Sequence, residues 1–224
     1  MQDITILFLT VNKLSSQWVK YQKKVLLEAI GDTPIITISK KPLDWGINII
    51  QDKPICSSNV YWQMLRGAKI AKTPYIAIAE DDVLYSKEHF TFRPKLDEFA
   101  YNMNYWGLFT WGEPTYFWGY RIVNSTLIAP RDLLINVLEE RFTKYPDGTP
   151  EGRTGEVARY GIESKLGLPH YKYIPFYSTI ASVKFHHNHS LDILERNHRK
   201  RMAPIRAYSI PYWKEAKELV KKFI

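Results

Sequence analysis

The sequence predicts an α/β domain with a mostly parallel central sheet flanked by helices, on three observations. Short β-branched apolar runs alternate with amphipathic stretches of helical period from the first residues onward, the pattern of β-α-β units. A chain of 224 residues, 45% of them hydrophobic, suffices for one sizeable core and not for two. Polar and charged residues follow directly after the apolar runs, where an open α/β sheet presents its ligand-binding ends.

The elements follow in order. Residues 4–9 (ITILFL) form a bounded apolar run, and residues 14–30 place Trp18, Tyr21, Val25, Leu26 and Ala29 at helical spacing. Gly31-Asp32-Thr33 punctuates the chain before a second strand at 34–39, which Lys40-Lys41-Pro42 ends. A right-handed crossover joins the two. After a loop, Ser57 or Ser58 caps a helix reaching Ala71, and a third strand at 75–79 runs into Glu80-Asp81-Asp82. Residues 105–120 interleave aromatic rings with Gly107, Gly112 and Gly119, a composition that either packs a core or lines a cleft. Helices are expected at 131–141 and 156–166, a Gly- and Pro-rich loop at 146–155, and strands at 171–175 and 179–185 before His186-His187-Asn188-His189. Residues 212–224 read as an amphipathic helix that docks on its own domain. The expected organisation is a nucleotide-binding half at 1–104, an acceptor-binding half of the same domain at 105–195, and a basic segment with the terminal helix at 196–224.

Composition excludes several classes. A net charge of +8, with 24% charged and 14% aromatic residues, describes a folded protein with a basic surface and not a disordered basic tail. The single cysteine, Cys56, can form neither an internal disulfide nor a Cys-rich zinc site, which fits a reducing cytoplasm. The first apolar run lacks the basic flank and cleavage pattern of a signal peptide, and no stretch approaches the roughly 18 apolar residues of a spanning helix.

The chemistry sits at the strand ends. Thr10-Val11-Asn12 and Ser39-Lys40-Lys41 offer hydroxyl, amide and ammonium groups suited to a nucleotide. Glu80-Asp81-Asp82 is either a solvated loop start or a cation site. Adjacent carboxylates repel, and oxygen-rich acidic clusters characteristically hold Mg2+ or Mn2+ with substrate phosphates. Three histidines within four positions add imidazoles that can ligate Mn2+, and strand alternation would put His187 and His189 on one side.

Ile76-Ala77-Ile78-Ala79-Glu80-Asp81-Asp82-Val83 resembles the metal-binding acidic motif of GT-A-fold, Rossmann-like nucleotide-sugar glycosyltransferases, in its Glu-Asp-Asp variant. The likeness covers residues 3–85. It implies that Thr10, Asn12, Ser39, Lys40, Asn59 and Arg66 flank the nucleotide, here most simply that of a UDP-sugar. It further implies that Asp82 touches the metal, Asp81 the metal or ribose, and that Glu80 supports them. In many such enzymes a carboxylate near a helix start approaches the acceptor and a later histidine completes the metal site. Glu156 stands at that place, although Val157 replaces the Asp that usually follows, so Glu163 and Glu151 stand beside it as candidate bases. An inverting transfer needs such a base; a retaining one does not.

The acceptor is read from charge and aromatics. Arg196, Arg199, Lys200, Arg201 and Arg206 concentrate positive charge without an acidic residue from 196 to 206, a pattern that could track a phosphate backbone or grip a diphosphate. In size and charge the chain is similar to phage-type DNA glycosyltransferases that act on hydroxymethylated pyrimidines. That resemblance implies double-stranded DNA as partner, with Trp106, Trp111, Phe117 and Trp118 as rings for an extruded base. A glycan or lipid-linked acceptor is the first alternative. A metal-dependent nucleotidyltransferase or nuclease using the same acids is the second.

Overall fold

The computed structural model describes residues 3–53, 56–150, 154–187 and 204–224. Strand β1 (Ile4–Leu9) is buried on both faces, as its unbroken apolar run requires of a central parallel strand. It lies between β2 (Ile35–Ser39) and β4 (Tyr75–Glu80), parallel to both, and β3 (Ile47–Ile50) extends the sheet beyond β2. On the other side β9 (Leu127–Pro130) runs antiparallel to β4 and to β6 (Glu98–Asn102), and β10 (Lys172–Phe176) pairs parallel with β6. The order is β10-β6-β9-β4-β1-β2-β3, with β9 the antiparallel member among the described strands. The mostly parallel sheet agrees with the sequence reading. Strands from both sides of residue 104 enter it.

Helices cover both faces. Helix α1 (Ser16–Ile30) begins at Ser15, whose hydroxyl accepts the Trp18 N–H, and buries Leu26 and Ile30 against Ile6 and Phe8. Helices α2 (Asn59–Ile70) and α3 (Arg131–Lys144) bury Met64, Ala68, Leu134 and Leu138 against Leu7, Leu9, Ile36 and Ile38 on the opposite face. Successive residues of β1 serve opposite cores, which the period of two demands. A Cβ on Gly67 of α2 would come within 2.9 Å of Leu7 and Ile38, so this glycine sets the helix-to-sheet distance.

The aromatic run folds as a hairpin, β7 (Tyr105–Phe109) and β8 (Tyr116–Trp118), in a second sheet of order β12-β8-β7-β11-β5. Here β5 is Val83–Leu84, β11 is Ser182–His186 and β12 is Arg206–Ala207. A ribbon of β13 (Ser209–Ile210) and β14 (Lys214–Glu215) leads into α5 (Ala216–Phe223). The helix expected at 212–224 is confined to α5, because Lys214–Glu215 pair in β14, and it docks on the domain: Phe223 lies 4.7 Å from Trp18 and 4.9 Å from Phe185, ring to ring.

Three further expectations need correction. Strands β3, β6 and β9 were not expected; each is four or five residues long and its apolar run is broken by Asn48, flanked by Glu98 and Asn102, or closed by Pro130. The helix expected at 156–166 is α4 (Tyr160–Leu166), because Val157-Ala158 turns with Ala158 at positive φ and the helix starts after it. Ser58 does precede α2, but its hydroxyl accepts the Thr149 N–H at 3.0 Å and makes no cap bond.

Candidate functional site

The carboxyl ends of β1 and β4 open onto a cleft of about 370 Å3. Its floor is the acidic triplet, its near wall Thr10 and Val11, and its far wall Asn59, Tyr61 and Asn124, with Glu156, Lys184 and His187 entering from the second half of the chain. Glu80 ends β4 and Val83 begins β5, so the three acids span the passage from the large sheet to the small one.

Each acid has a different environment. The Thr10 hydroxyl donates to Asp81 Oδ2 and accepts the Asn12 N–H, while the Trp18 indole N–H donates to the Asp81 carbonyl at 2.7 Å. Burial, reinforced by the adjacent Asp82 charge, pushes the Asp81 carboxyl up to about 7. Glu80 Oε2 lies 2.5 Å from Lys184 Nζ, and its backbone N–H donates to the Tyr85 hydroxyl, which in turn donates to the Ser125 carbonyl. Asp82 is 7% exposed. Burial would raise its carboxyl, but the Lys184 ammonium at 3.8 Å and the His187 ring at 3.6 Å outweigh it and hold Asp82 below the usual carboxylate range. Among the described residues Asp82 Oδ1 is buried and accepts no hydrogen bond, with the Lys184 ammonium at 3.8 Å as its counter-charge. A buried, ionised carboxylate with an oxygen outside any hydrogen bond has coordination to spare for a cation.

A second cleft of about 460 Å3 adjoins the first across Glu80, Asn124, Thr154, Glu156 and Lys184. Trp118, Tyr120, Arg121, Arg159 and His186 furnish its walls. Glu156 therefore stands at the junction, its Oε2 accepting from Arg159 Nη1 at 2.9 Å.

The rim of the first cleft is fastened by hydroxyls. Ser58 and Thr149 lie 3.1 Å apart, Thr149 and Thr154 2.8 Å, and Ser57 and Thr154 3.1 Å, oxygen to oxygen. Gly148 allows the close approach: at φ +103°, its Cβ would stand 2.9 Å from Ser58 Oγ.

Of the residues singled out in the sequence, Thr10, Asn59, Glu80, Asp81, Asp82, Glu156 and His187 line the first cleft, and Glu80, Phe117, Trp118, Glu156 and His186 line the second. The others make different contacts. Asn12 accepts the backbone N–H groups of Lys40 and Lys41 on its Oδ1, clamping two loops. Ser39 is wholly buried between the Lys41 carbonyl and Asn48, and Lys40 Nζ donates to the Lys53 carbonyl. Arg66 donates to the Ile50 carbonyl at 2.9 Å, on the outer side of α2. Glu163 is 1% exposed and accepts from the N–H groups of Ala158 and Tyr171, so it ties α4 to β10 and meets neither cleft. Trp111 packs 4.9 Å from Phe109, and Trp106 against the core beneath α5. Glu151, His189, Arg196, Arg199, Lys200 and Arg201 lie outside the described residues. Among the described residues no three His, Cys, Asp or Glu side chains form a ready-made metal cluster.

Lys184 went unread in the sequence. The alternation of Val183 and Phe185 against Ser182, Lys184 and His186 marks a lysine on the polar face of an otherwise buried strand, and that signal was available.

No family model and no curated protein matches the chain. Solved structures do. A bifunctional IspDF from Campylobacter jejuni matches at 10% identity, over 88% of this chain and 54% of that one, with a TM-score of 0.45. A mannosyltransferase from Pyrobaculum calidifontis in complex with GDP-Man and Mn2+ matches at 9%, over 81% and 56%, with a TM-score of 0.46. A glycosyltransferase involved in glycosylation of the major capsid of PBCV-1 matches at 14%, over 78% and 81%, with a TM-score of 0.45. The chain thus spans little more than half the length of the first two. No helix among the described residues is long and apolar enough to cross a membrane. At these identities and TM-scores the likeness extends to neither donor nor acceptor, and what the chain itself displays is an α/β domain whose mostly parallel sheet ends in an acidic cleft.

Proposed function

We propose that the chain is a glycosyltransferase that moves a sugar from a nucleotide-diphosphate donor, a UDP-sugar in the simplest case, to an acceptor hydroxyl. The observation that carries this reading is Asp82: a buried, ionised carboxylate whose Oδ1 accepts no hydrogen bond among the described residues and whose Oδ2 lies 3.6 Å from an imidazole, on the floor of a cleft that adjoins a second one. Asp82 and His187 fit a divalent cation such as Mn2+ or Mg2+, with oxygens of the donor completing its shell. Asp81 is turned to Thr10, and Glu80 is drawn to Lys184, so these two shape the floor from behind.

When bound, the cation would offset the negative charge that develops on the departing diphosphate. The chain's own residues do the rest. Thr10, Asn59 and Tyr61 border the donor volume, and the aromatic wall of the second cleft suits the face of an acceptor. Glu156, oriented by Arg159, takes the acceptor's hydroxyl proton as that oxygen bonds the sugar carbon and the carbon–phosphate-oxygen bond breaks. Residues 1–104 supply most of the donor side, and 105–195 the acceptor side together with the base.

For the acceptor, the rings and guanidinium groups of the second cleft support a saccharide, whether glycan or lipid-linked. A hydroxymethylated base in DNA rests on the basic run of the sequence, of which Arg206 alone among the five charges is described.

Thermal unfolding with UDP, GDP and CMP, each with and without Mn2+, tests the donor reading. One nucleotide near 100 times its dissociation constant should add about 2.7 kcal/mol and raise the midpoint by about 5–10 °C, only with Mn2+ and not in Asp82→Asn. No shift with any nucleotide would sink the reading and turn attention to metal-dependent cleavage of nucleic acid.

A further inference from the structure

We propose that Lys184 is a resident counter-cation of the acidic triplet: it competes with the divalent ion for Asp82 and, once displaced, turns toward the phosphates of the donor. The inference rests on the metal-and-nucleotide reading of the cleft. Lys184 Nζ lies 2.5 Å from Glu80 Oε2 and 3.8 Å from Asp82 Oδ1, with its side chain 18% exposed. Its backbone cannot drift, because β11 is paired on both sides, with Lys184 opposite Val83 of β5 and Gly107 of β7. The Phe185 N–H, one residue on, donates to the Asp82 carbonyl at 2.8 Å and locks the lysine strand to the acid it faces.

Side-chain chemistry makes the exchange possible. Carboxylates gathered in a partly dry cleft repel one another unless a cation stands among them. A lysine fills that role reversibly: its ammonium is a compact charge on a flexible four-carbon stem and can move several ångströms with no change in the backbone. A divalent ion on Asp82 and an ammonium beside the same carboxylate repel each other, so the ion's arrival loosens Lys184. The ammonium then has a short path, since Lys184 lines both clefts and sits between the donor volume and the Glu156 junction.

The test is a titration of Mn2+ into the full chain, following the paramagnetic resonance of the free ion, so that activity is not the readout. Lys184→Gln should bind Mn2+ at least tenfold more tightly than the parent, Lys184→Arg within about threefold of it, and Asp82→Asn far more weakly. Lys184→Met carries the same expectation as the Gln variant should that one fail to fold. With Mn2+ saturating, Lys184→Gln should also bind UDP, or whichever of GDP and CMP gives the thermal shift in its place, more weakly than the parent does. Equal or weaker Mn2+ binding by both neutral variants overturns the proposal. If Asp82→Asn still loses Mn2+ in that case, the metal reading stands without the lysine; if none of the proteins binds Mn2+, both fall.

Discussion

At residue scale two carboxylates close in sequence sit in opposite settings, one at the clefts and one buried away from them, and the difference can be measured. Glu156 faces both clefts, whereas Glu163, one helix away, spends both oxygens on backbone N–H groups. Glu156→Gln should lower turnover by about 100- to 10,000-fold while leaving the nucleotide-induced thermal shift in place, as loss of a general base does. Glu163→Gln should do the reverse, costing about 1–3 kcal/mol of stability through an unpaired buried N–H and leaving turnover near that of the parent. Asp81 gives a pH signature. Its carboxyl titrates near 7 in the folded chain against 3.8 as the ordinary value, so the folded state holds a proton that the unfolded state has lost. Stability of the metal-free protein should therefore be highest below about pH 4 as far as this group is concerned, and fall as pH rises through 7. Chemical denaturation in chelator at pH 5, 6, 7 and 8 should show that fall, and Asp81→Asn should flatten it. These roles were only partly legible. That the acidic triplet borders a cleft was legible because three acids follow a buried strand at the sheet's carboxyl end, whereas Asn12 and Ser39 are small polar residues at strand ends whose loop-clamping contacts depend on partners 28 and 9 residues away.

At the scale of elements, the β-α-β-α-β run leading to the acids was legible because its strands are compact apolar runs and its helices, fifteen residues in α1 and twelve in α2, are long enough to show a period. Strand β9 hides for the opposite reason. Four buried residues, Leu127–Pro130, end in a proline and run straight into α3, so nothing local announces a central antiparallel strand; its pairing with β4 and β6 decides it. The aromatic run needed its hairpin register to be understood. Gly107 lies opposite Phe117, and a Cβ on it would stand 2.0 Å from the Phe117 ring. Gly107→Ala should cost about 1–3 kcal/mol by overpacking and push Phe117 into the second cleft it borders. The measurable result is a raised KM for acceptor with an unchanged nucleotide-dependent thermal shift.

Across the whole molecule, the terminal helix is part of the site's support. Phe223 reaches Trp18, whose indole holds the Asp81 carbonyl, and stands 5.3 Å from the His187 ring. Phe223→Ala should lower the melting midpoint by about 10 °C, in line with roughly 3–5 kcal/mol for a buried phenylalanine, and should weaken Mn2+ binding although the ring touches no carboxylate. A variant that melts lower yet binds Mn2+ as tightly as the parent would confine α5 to a structural role. The far rim of the first cleft is built on another principle. Ser57, Ser58, Thr149 and Thr154 join the start of α2 to the loop before Glu156 through neutral hydroxyls and the Thr149 N–H, with no charged group among them. Uncharged fastenings feel neither ionic strength nor the coming and going of anions. The acidic floor can change its electrical state with pH or a bound ion, while this side of the cleft keeps the same grip, so Glu156 stands next to a part of the rim whose hold does not depend on charge.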